Sequence, residues 1–465
     1  MTRIALSLVS HTNVGKTTLA RTLLGRDVGE VRDAPHVTAF AEPFELLRSE
    51  EGHLLTLWDT PGFGDSARLL RRLRQSANPI GWFLGQVWDR WRDRPFWASQ
   101  QVLRHVRDTS DLLLYLVNAA EGPQAAGYVA AEMELLDWVG KPVIVLLNQM
   151  GPPRDAAAEA AEAAPWQQLL QRWPRVHAVL PLDAFARCWV QEGALWAAVQ
   201  AALPEAAQRA AMASLRAAWM AERQRQFDTS MRTLGQALQA LAGLQEPVPD
   251  DPGTLRQLGA KLGLGGPPPD AVAAARERLA ARLGDGLREA TQALLALHGL
   301  PGTATAVVLQ RVAALGQARL RVDSGRAAGW GAVLSGALGG LAADLAAGGL
   351  TLGVGVLAGA MLGAAGGVGA AEGLNRLRGT DRSVVALDGE ARRALLQTAL
   401  LRYLAVAHFG RGRGDWAEAE ALPHWAALAE ELTAGTPPGP DAEWPALLAR
   451  CTRQALQRLY PGAGE

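Results

Sequence analysis

Ser10-His11-Thr12-Asn13-Val14-Gly15-Lys16-Thr17 sits between two stretches of opposite pattern. Before it, Ile4 to Val9 is a short apolar run of strand length. After it, Thr17 to Leu24 spaces its apolar residues as a helix does. A polar loop that leaves a strand and opens a helix is the setting a phosphate-binding loop requires. Such a loop turns its backbone N–H groups inward, and the helix N-terminus adds a positive dipole end. Gly15 lets the main chain approach a ligand without a Cβ. Lys16 is placed to reach the outer oxygens of a polyphosphate, and Thr17, followed by Thr18, offers a hydroxyl to magnesium. The first position of the motif, ordinarily Gly, is Ser10.

A second apolar run, His53 to Trp58, ends at Asp59-Thr60-Pro61-Gly62. An aspartate leaving a strand at this distance from a phosphate loop can bind magnesium through water, and the Gly62 N–H can sense a γ-phosphate. The same four residues also suit an ordinary strand-ending turn. Asp111 to Val117, Pro142 to Leu147 and Val176 to Leu180 read as further buried strands. Ala125 to Val139 and Gly193 to Leu203 read as helices between and after them. Short apolar strands alternating with helices predict an α/β domain, its mostly parallel sheet covered on both faces, over residues 1–203. Residues 77–107, rich in Trp and Arg, read as a helical insertion. From about residue 204 the chain turns to Ala, Leu, Arg and Gln, predicting an all-α region. Its expected parts are helices over 204–326, a Gly/Ala-rich apolar segment over 327–371, and helices again over 372–465.

The 465 residues hold 46 basic and 46 acidic side chains, for a formal charge of zero. That balance argues against broad electrostatic capture of nucleic acid. Lysine stands at positions 16, 141 and 261 and nowhere else, so Lys16 is conspicuous in a chain that otherwise uses Arg. Cys188 and Cys451 lack metal-ligand spacing and suggest no disulfide framework, which fits a reducing, cytoplasmic setting. The eight histidines show no HExxH or paired-ligand spacing, so no structural metal is expected. His11 reads as a loop-filling residue.

Asn13-Val14-Gly15-Lys16-Thr17 with Asp59-Thr60-Pro61-Gly62 resembles the Era-like branch of the translation-factor-related P-loop GTPases. More narrowly, the chain resembles bacterial proteins in which such a G domain precedes an uncharacterised helical domain with a glycine-rich apolar segment. The resemblance implies GTP and GDP as ligands and Mg2+ held by Thr17, Asp59 and the switch I residue Thr38. It also assigns catalytic duties to Lys16, Thr38 and Gly62. Asn13 matches an asparagine that helps hold K+ in some relatives; it equally suits a role in stabilising the loop backbone. The family's glutamine position after the switch II glycine holds Phe63, which cannot orient water, so hydrolysis would need help from a protein partner or a homodimer. The base-specificity loop, Asn-Lys-x-Asp in the family, is here Asn148-Gln149-Met150-Gly151. Asn148 survives, the guanine-pairing carboxylate does not, and ATP or relaxed specificity stays open. Asp155 lies beyond two prolines, and Leu182 to Ala184 is a poor match to the family's last loop.

Gly355, Gly359, Gly363 and Gly367 recur at every fourth position, as do Gly331, Ser335 and Gly339. Such spacing allows the close helix approach seen in membranes, and each half of 327–371 is about 20 residues, enough to span a bilayer core. Arginines flank both ends, as a hairpin anchored from the cytoplasmic side of the inner membrane requires. A closely packed, water-soluble hairpin is the other reading. Trp82, Trp88, Trp91 and Trp97 among arginines suit either a helix packed on the G domain or single-stranded nucleic acid, and the first is favoured. The expected function is therefore a GTPase switch coupled to a helical, membrane-associated domain. The alternative is a membrane-anchored scaffold with a structural nucleotide.

Overall fold

The computed structural model describes residues 1–25, 42–75, 94–151, 154–184, 188–248, 269–300, 384–409, 423–435 and 437–461. Thr38 and the apolar segment 327–371 lie outside these residues.

Six strands form one sheet: β1 (Arg3–Ser10), β2 (Glu42–Arg48), β3 (Leu54–Asp59), β4 (Leu112–Asn118), β5 (Val143–Asn148) and β6 (Val176–Pro181). Their order is β2-β3-β1-β4-β5-β6. All neighbours pair in parallel except β2, which runs antiparallel to β3. The mostly parallel sheet is as expected; β2 is an addition. Its Glu-Pro-Phe-Glu-Leu-Leu-Arg mixes charge, proline and apolar residues without a core-strand run. Those residues suit a sheet edge, where charge and proline are tolerated.

The first unit adds helices α1 (Lys16–Leu24), α2 (Ser66–Gln75), α3 (Arg94–Thr109), α4 (Tyr128–Val139), α5 (Ala156–Leu170), α6 (Trp189–Ala202) and the first part of α7 (Ala206–Ala242). One sheet face, through Leu6, Leu57, Leu114 and Leu146, packs against α1, α6 and α7, with Trp196 and Trp219 filling the layer. The other face, through Leu113, Tyr115 and Val145, packs against α2, α3, α4 and α5. Near-continuous apolar strands such as Leu-Leu-Leu-Tyr-Leu-Val are what burial on both faces demands. The part of the expected insertion that is described, α3, is a layer of this core: Val102, Leu103 and Val106 are buried in it. The alanine-rich α5 carries no strong apolar period and goes beyond the sequence expectation; Trp166 and Leu170 anchor it.

The chain divides into two compact units. One holds Met1–Arg225, Ala407–Asp415 and Leu456–Glu465; the other holds Gln226–Val406 and Trp416–Ala455. The boundary falls inside α7. In the second unit α7 continues, followed by α8 (Pro269–Leu297), α9 (Gly389–Ala407), α10 (Pro423–Leu432) and α11 (Trp444–Leu459). Close helix approach is purchased with glycine: a Cβ on Gly235 would lie 2.3 Å from Pro445 Cα, and one on Gly286 would lie 2.7 Å from Leu241 Cδ2. Phe227 meets Tyr403 edge-on at 5.6 Å. The expectation of a wholly helical second part needs one correction. A short antiparallel ribbon, β7 (Gln245–Pro247) with β8 (Val384–Ala386), closes part of it. Three-residue strands are too short to announce themselves by period. Glu246 on β7 accepts from Arg282 at 2.6 Å. Among the described residues no helix is long and apolar enough to cross a membrane.

Candidate functional site

The loop after β1 is built by two left-handed residues, Asn13 (φ 62°) and Gly15 (φ 94°). Asparagine tolerates that region and glycine has no Cβ to clash, so the chain can reverse and begin α1 at Lys16. A Cβ on Gly15 would also lie 2.8 Å from Asn148 Nδ2. Lys16 is almost entirely buried. Its Nζ donates to Ser10 Oγ at 2.8 Å and to the His11 carbonyl at 3.3 Å. Burial pushes its ammonium below the usual lysine range, while Asp59 and Glu132 pull it back up. Ser10, where glycine was expected, thus supplies a hydroxyl that receives the lysine. Val14 and Thr18 are buried beneath the loop, Thr12 and His11 are half-buried, and Asn13 is exposed.

The loop after β3 lies directly against this turn. Thr17 Oγ1 donates to Asp59 Oδ2 at 2.6 Å. Phe63 N donates to the Ser10 carbonyl at 2.9 Å, and His11 and Phe63 form an isolated parallel bridge. A Cβ on Gly62 would fall 2.8 Å from Thr12 Cα and 3.0 Å from Lys16 Nζ, so nothing larger than glycine fits between the two loops. Lys16, Thr17, Asp59 and Gly62, separate in sequence, therefore converge. A hydroxyl and a carboxylate oxygen side by side are hard donors of the kind Mg2+ takes, alongside waters and phosphate oxygens. Phe63 is fully buried in the core, packed on the face that holds α2 and α3. The position directly after Gly62 is thus a core position in this chain.

At the far end of the loop, Asn148 is fully buried at the end of β5. Its Nδ2 donates to the Val14 carbonyl at 2.7 Å, and its Oδ1 accepts from Ala184 N at 2.8 Å. Asn148 is thus a brace between the phosphate-type loop and the loop after β6. That second loop, a poor match by sequence, is integrated all the same: Thr22 Oγ1 donates to the Ala184 carbonyl at 2.9 Å, and Asp183 Oδ2 accepts from Met150 N at 2.8 Å. Gln149 (φ 60°) and Gly151 (φ 81°) are both left-handed, which sets the turn that receives Asp183. Asp155 serves elsewhere: it N-caps α5, accepting from Ala158 N at 2.9 Å.

His11 is more than loop filling. Its ring stacks on Tyr128 at 4.5 Å, and Nδ1 lies 2.8 Å from Glu132 Oε1. Tyr115 Oη donates to Glu132 Oε2 at 2.8 Å. Glu132 is fully buried on α4; burial pushes its carboxyl up, opposed by His11, Tyr115 and Lys16. Burial likewise pushes the Tyr115 phenol well above its usual range. No sequence signal separates Glu132 from Glu134 on the same helix, whose carboxylate faces solvent and pairs with Arg74.

Residues 170–457 match the family described as Domain of unknown function (DUF3482), and residues 5–149 match the family described as 50S ribosome-binding GTPase. The chain is 29% identical over 151 residues to GTPase Der of Deinococcus deserti, covering 32% of this chain and 27% of that protein. It is 29% identical over 155 residues to GTPase Der of Mycolicibacterium vanbaalenii, covering 33% and 27%. The chain thus spans about a quarter of the length of these curated relatives. Among solved structures, Aquifex aeolicus Era bound to GDP and AlF4− is 20% identical, with a TM-score of 0.31, over 44% of this chain and 58% of that one. A second Era structure, in complex with MgGDPNP and part of 16S ribosomal RNA, is 20% identical with a TM-score of 0.27, over 39% and 51%. The expectation against a nucleic-acid partner finds no support among these relatives.

Proposed function

Since the chain belongs to the family described as Domain of unknown function (DUF3482) and carries a P-loop GTPase domain ahead of it, we propose a GTP-hydrolysing switch whose output is the helical second unit. The observation that carries this reading is the convergence of Lys16, Thr17, Asp59 and Gly62 on one turn of backbone. In the proposal, Ser10 to Thr18 wrap the polyphosphate, and the Lys16 ammonium exchanges its Ser10 and His11 partners for phosphate oxygens. Mg2+ supplies charge neutralisation at the phosphates; Thr17, Asp59 and Thr38 would hold it. Gly62, tight against Thr12, would register the γ-phosphate through its N–H and pass the nucleotide state to α2.

Phe63 bears on the rate. Held in the core, it leaves the attacking water without the glutamine of other GTPases. Slow intrinsic turnover follows, raised by K+ at Asn13 or by a partner or second copy. The same observation favours a second reading, a scaffold whose nucleotide is structural. Attachment to a membrane through 327–371, from the cytoplasmic side, belongs to either reading and is tested by cosedimentation with vesicles.

Phosphate release by the purified full chain, with Mg2+ and with or without K+, is the deciding measurement. The expected result is slow GTP turnover in the wild type. In Lys16→Ala, nucleotide affinity falls by about tenfold to a hundredfold, the loss of a hydrogen-bonded charge, with thermal unfolding unchanged. Misfolding of that variant would favour the structural nucleotide. Absence of both binding and turnover under all conditions would sink the proposal.

A further inference from the structure

Guanine presents two neighbouring donors, N1–H and the N2 amino group, on the edge that distinguishes it from adenine. A site that selects it needs a paired acceptor there, and a carboxylate is the side chain with two acceptor oxygens and no donor. Position 151, three residues after Asn148, is where such a carboxylate was expected, and it is glycine. Among the described residues, a Cβ built on Gly151 meets nothing within 4 Å, although its φ of +81° is one that L side chains rarely adopt. Those residues leave room beside that position for a group from elsewhere.

The sheet delivers one. β5 and β6 are parallel neighbours, with Leu147 opposite Pro181, so the loops leaving their C-terminal ends lie side by side. Leu182 N continues the pairing, donating to the Leu147 carbonyl at 3.1 Å. The next residue, Asp183, reaches across to the Met150 N–H, between Asn148 and Gly151. The residue after it, Ala184, is held to Asn148 Oδ1. The acidic side chains between Gly151 and β6 are committed to α5: Asp155 caps it, Glu159 accepts from Arg154 N at its start, and Glu162 pairs with Arg154 at 3.3 Å.

We propose that Asp183 is the base-reading carboxylate of this chain, supplied by the loop after β6 in place of the missing aspartate after β5. Asn148 and Asp183 then form the pair that relatives draw from a single loop. The inference rests on the nucleotide-switch reading and sharpens it to guanine. A purely structural Asp183, pinning the Met150 turn, is the competing role.

Asp183→Asn separates the two. The amide keeps an oxygen to accept from Met150 N–H, so the pin survives, but it turns the other atom into a donor. Xanthine carries a carbonyl where guanine carries its amino group, so the amide complements xanthine. Binding to the full chain with Mg2+ is measured for GTP, ATP, inosine triphosphate and xanthosine triphosphate. The wild type is expected to prefer GTP over ATP and over inosine triphosphate, which lacks the amino group, by about tenfold or more. Asp183→Asn should exchange the preference for GTP over xanthosine triphosphate by a similar factor. Adding Gly151→Asp to that variant should return it to GTP. Equal loss of all nucleotides in Asp183→Asn, or retained guanine preference, overturns the proposal. So does a wild type indifferent to the base, which leaves the phosphate site standing. No purine triphosphate binding at all instead removes the switch reading beneath it.

Discussion

Glu132 places a carboxyl group where water cannot reach it, with His11 on one oxygen and Tyr115 on the other. Desolvation raises its pKa above the 4.5 of an exposed glutamate, so the folded protein binds a proton there more tightly than the unfolded chain does. The contribution to stability is therefore complete below about pH 4.5 and fades as pH rises through the raised value. Glu132→Gln keeps the shape and holds no titrating proton. Its stability relative to wild type, from urea unfolding at several pH values, should grow as pH climbs from about 4.5 and then level off. A difference independent of pH would mean that burial does not disfavour this carboxylate. At this scale the sequence was readable where a residue's type is its function. Lys16 and Asp59 declare themselves by motif. Glu132 and Asp183 do not, because a glutamate in a helix and an aspartate in a loop look alike whether they face water or a neighbour's backbone.

Helices and strands differ in how far their pattern travels. β1, β3, β4 and β5 are legible because burial on both faces requires an unbroken apolar run, and the polar turn ending in Gly15 between β1 and α1 has a composition of its own. β2 at the sheet edge, the alanine-rich α5 and the ribbon of β7 with β8 are stabilised by partners distant in sequence, so their local pattern is weak. Gly235 in α7 shows the same contest as energies. Alanine is the better helix former by about 1 kcal/mol. Yet its Cβ would collide with the backbone of Pro445, which cannot swing aside as a flexible side chain could. Gly235→Ala should destabilise the protein, by about 1–3 kcal/mol in chemical denaturation, despite the improved propensity. A stabilised variant would show that α7 and α11 do not approach so closely.

For the whole molecule, the proposed nucleotide and cation would act through mass action. A ligand that binds the folded protein alone stabilises it by about 2.7 kcal/mol at a hundred times its dissociation constant. Adding GTP with Mg2+ should raise the unfolding temperature, and EDTA should reverse most of the rise, since the phosphates then meet the Thr17 and Asp59 oxygens without the cation. A shift equally large without divalent cation would remove Mg2+ from the site. From its residues alone the chain declared a phosphate-type loop, an α/β domain and a helical remainder, since backbone conformation and burial period are written into neighbouring residues. Tertiary structure alone decided that Phe63 belongs to the core, that Glu132 meets His11, and that Asp183 crosses to the loop after β5. Those facts depend on which strands lie side by side, and residues brought together by a sheet leave no spacing in the sequence to mark their meeting.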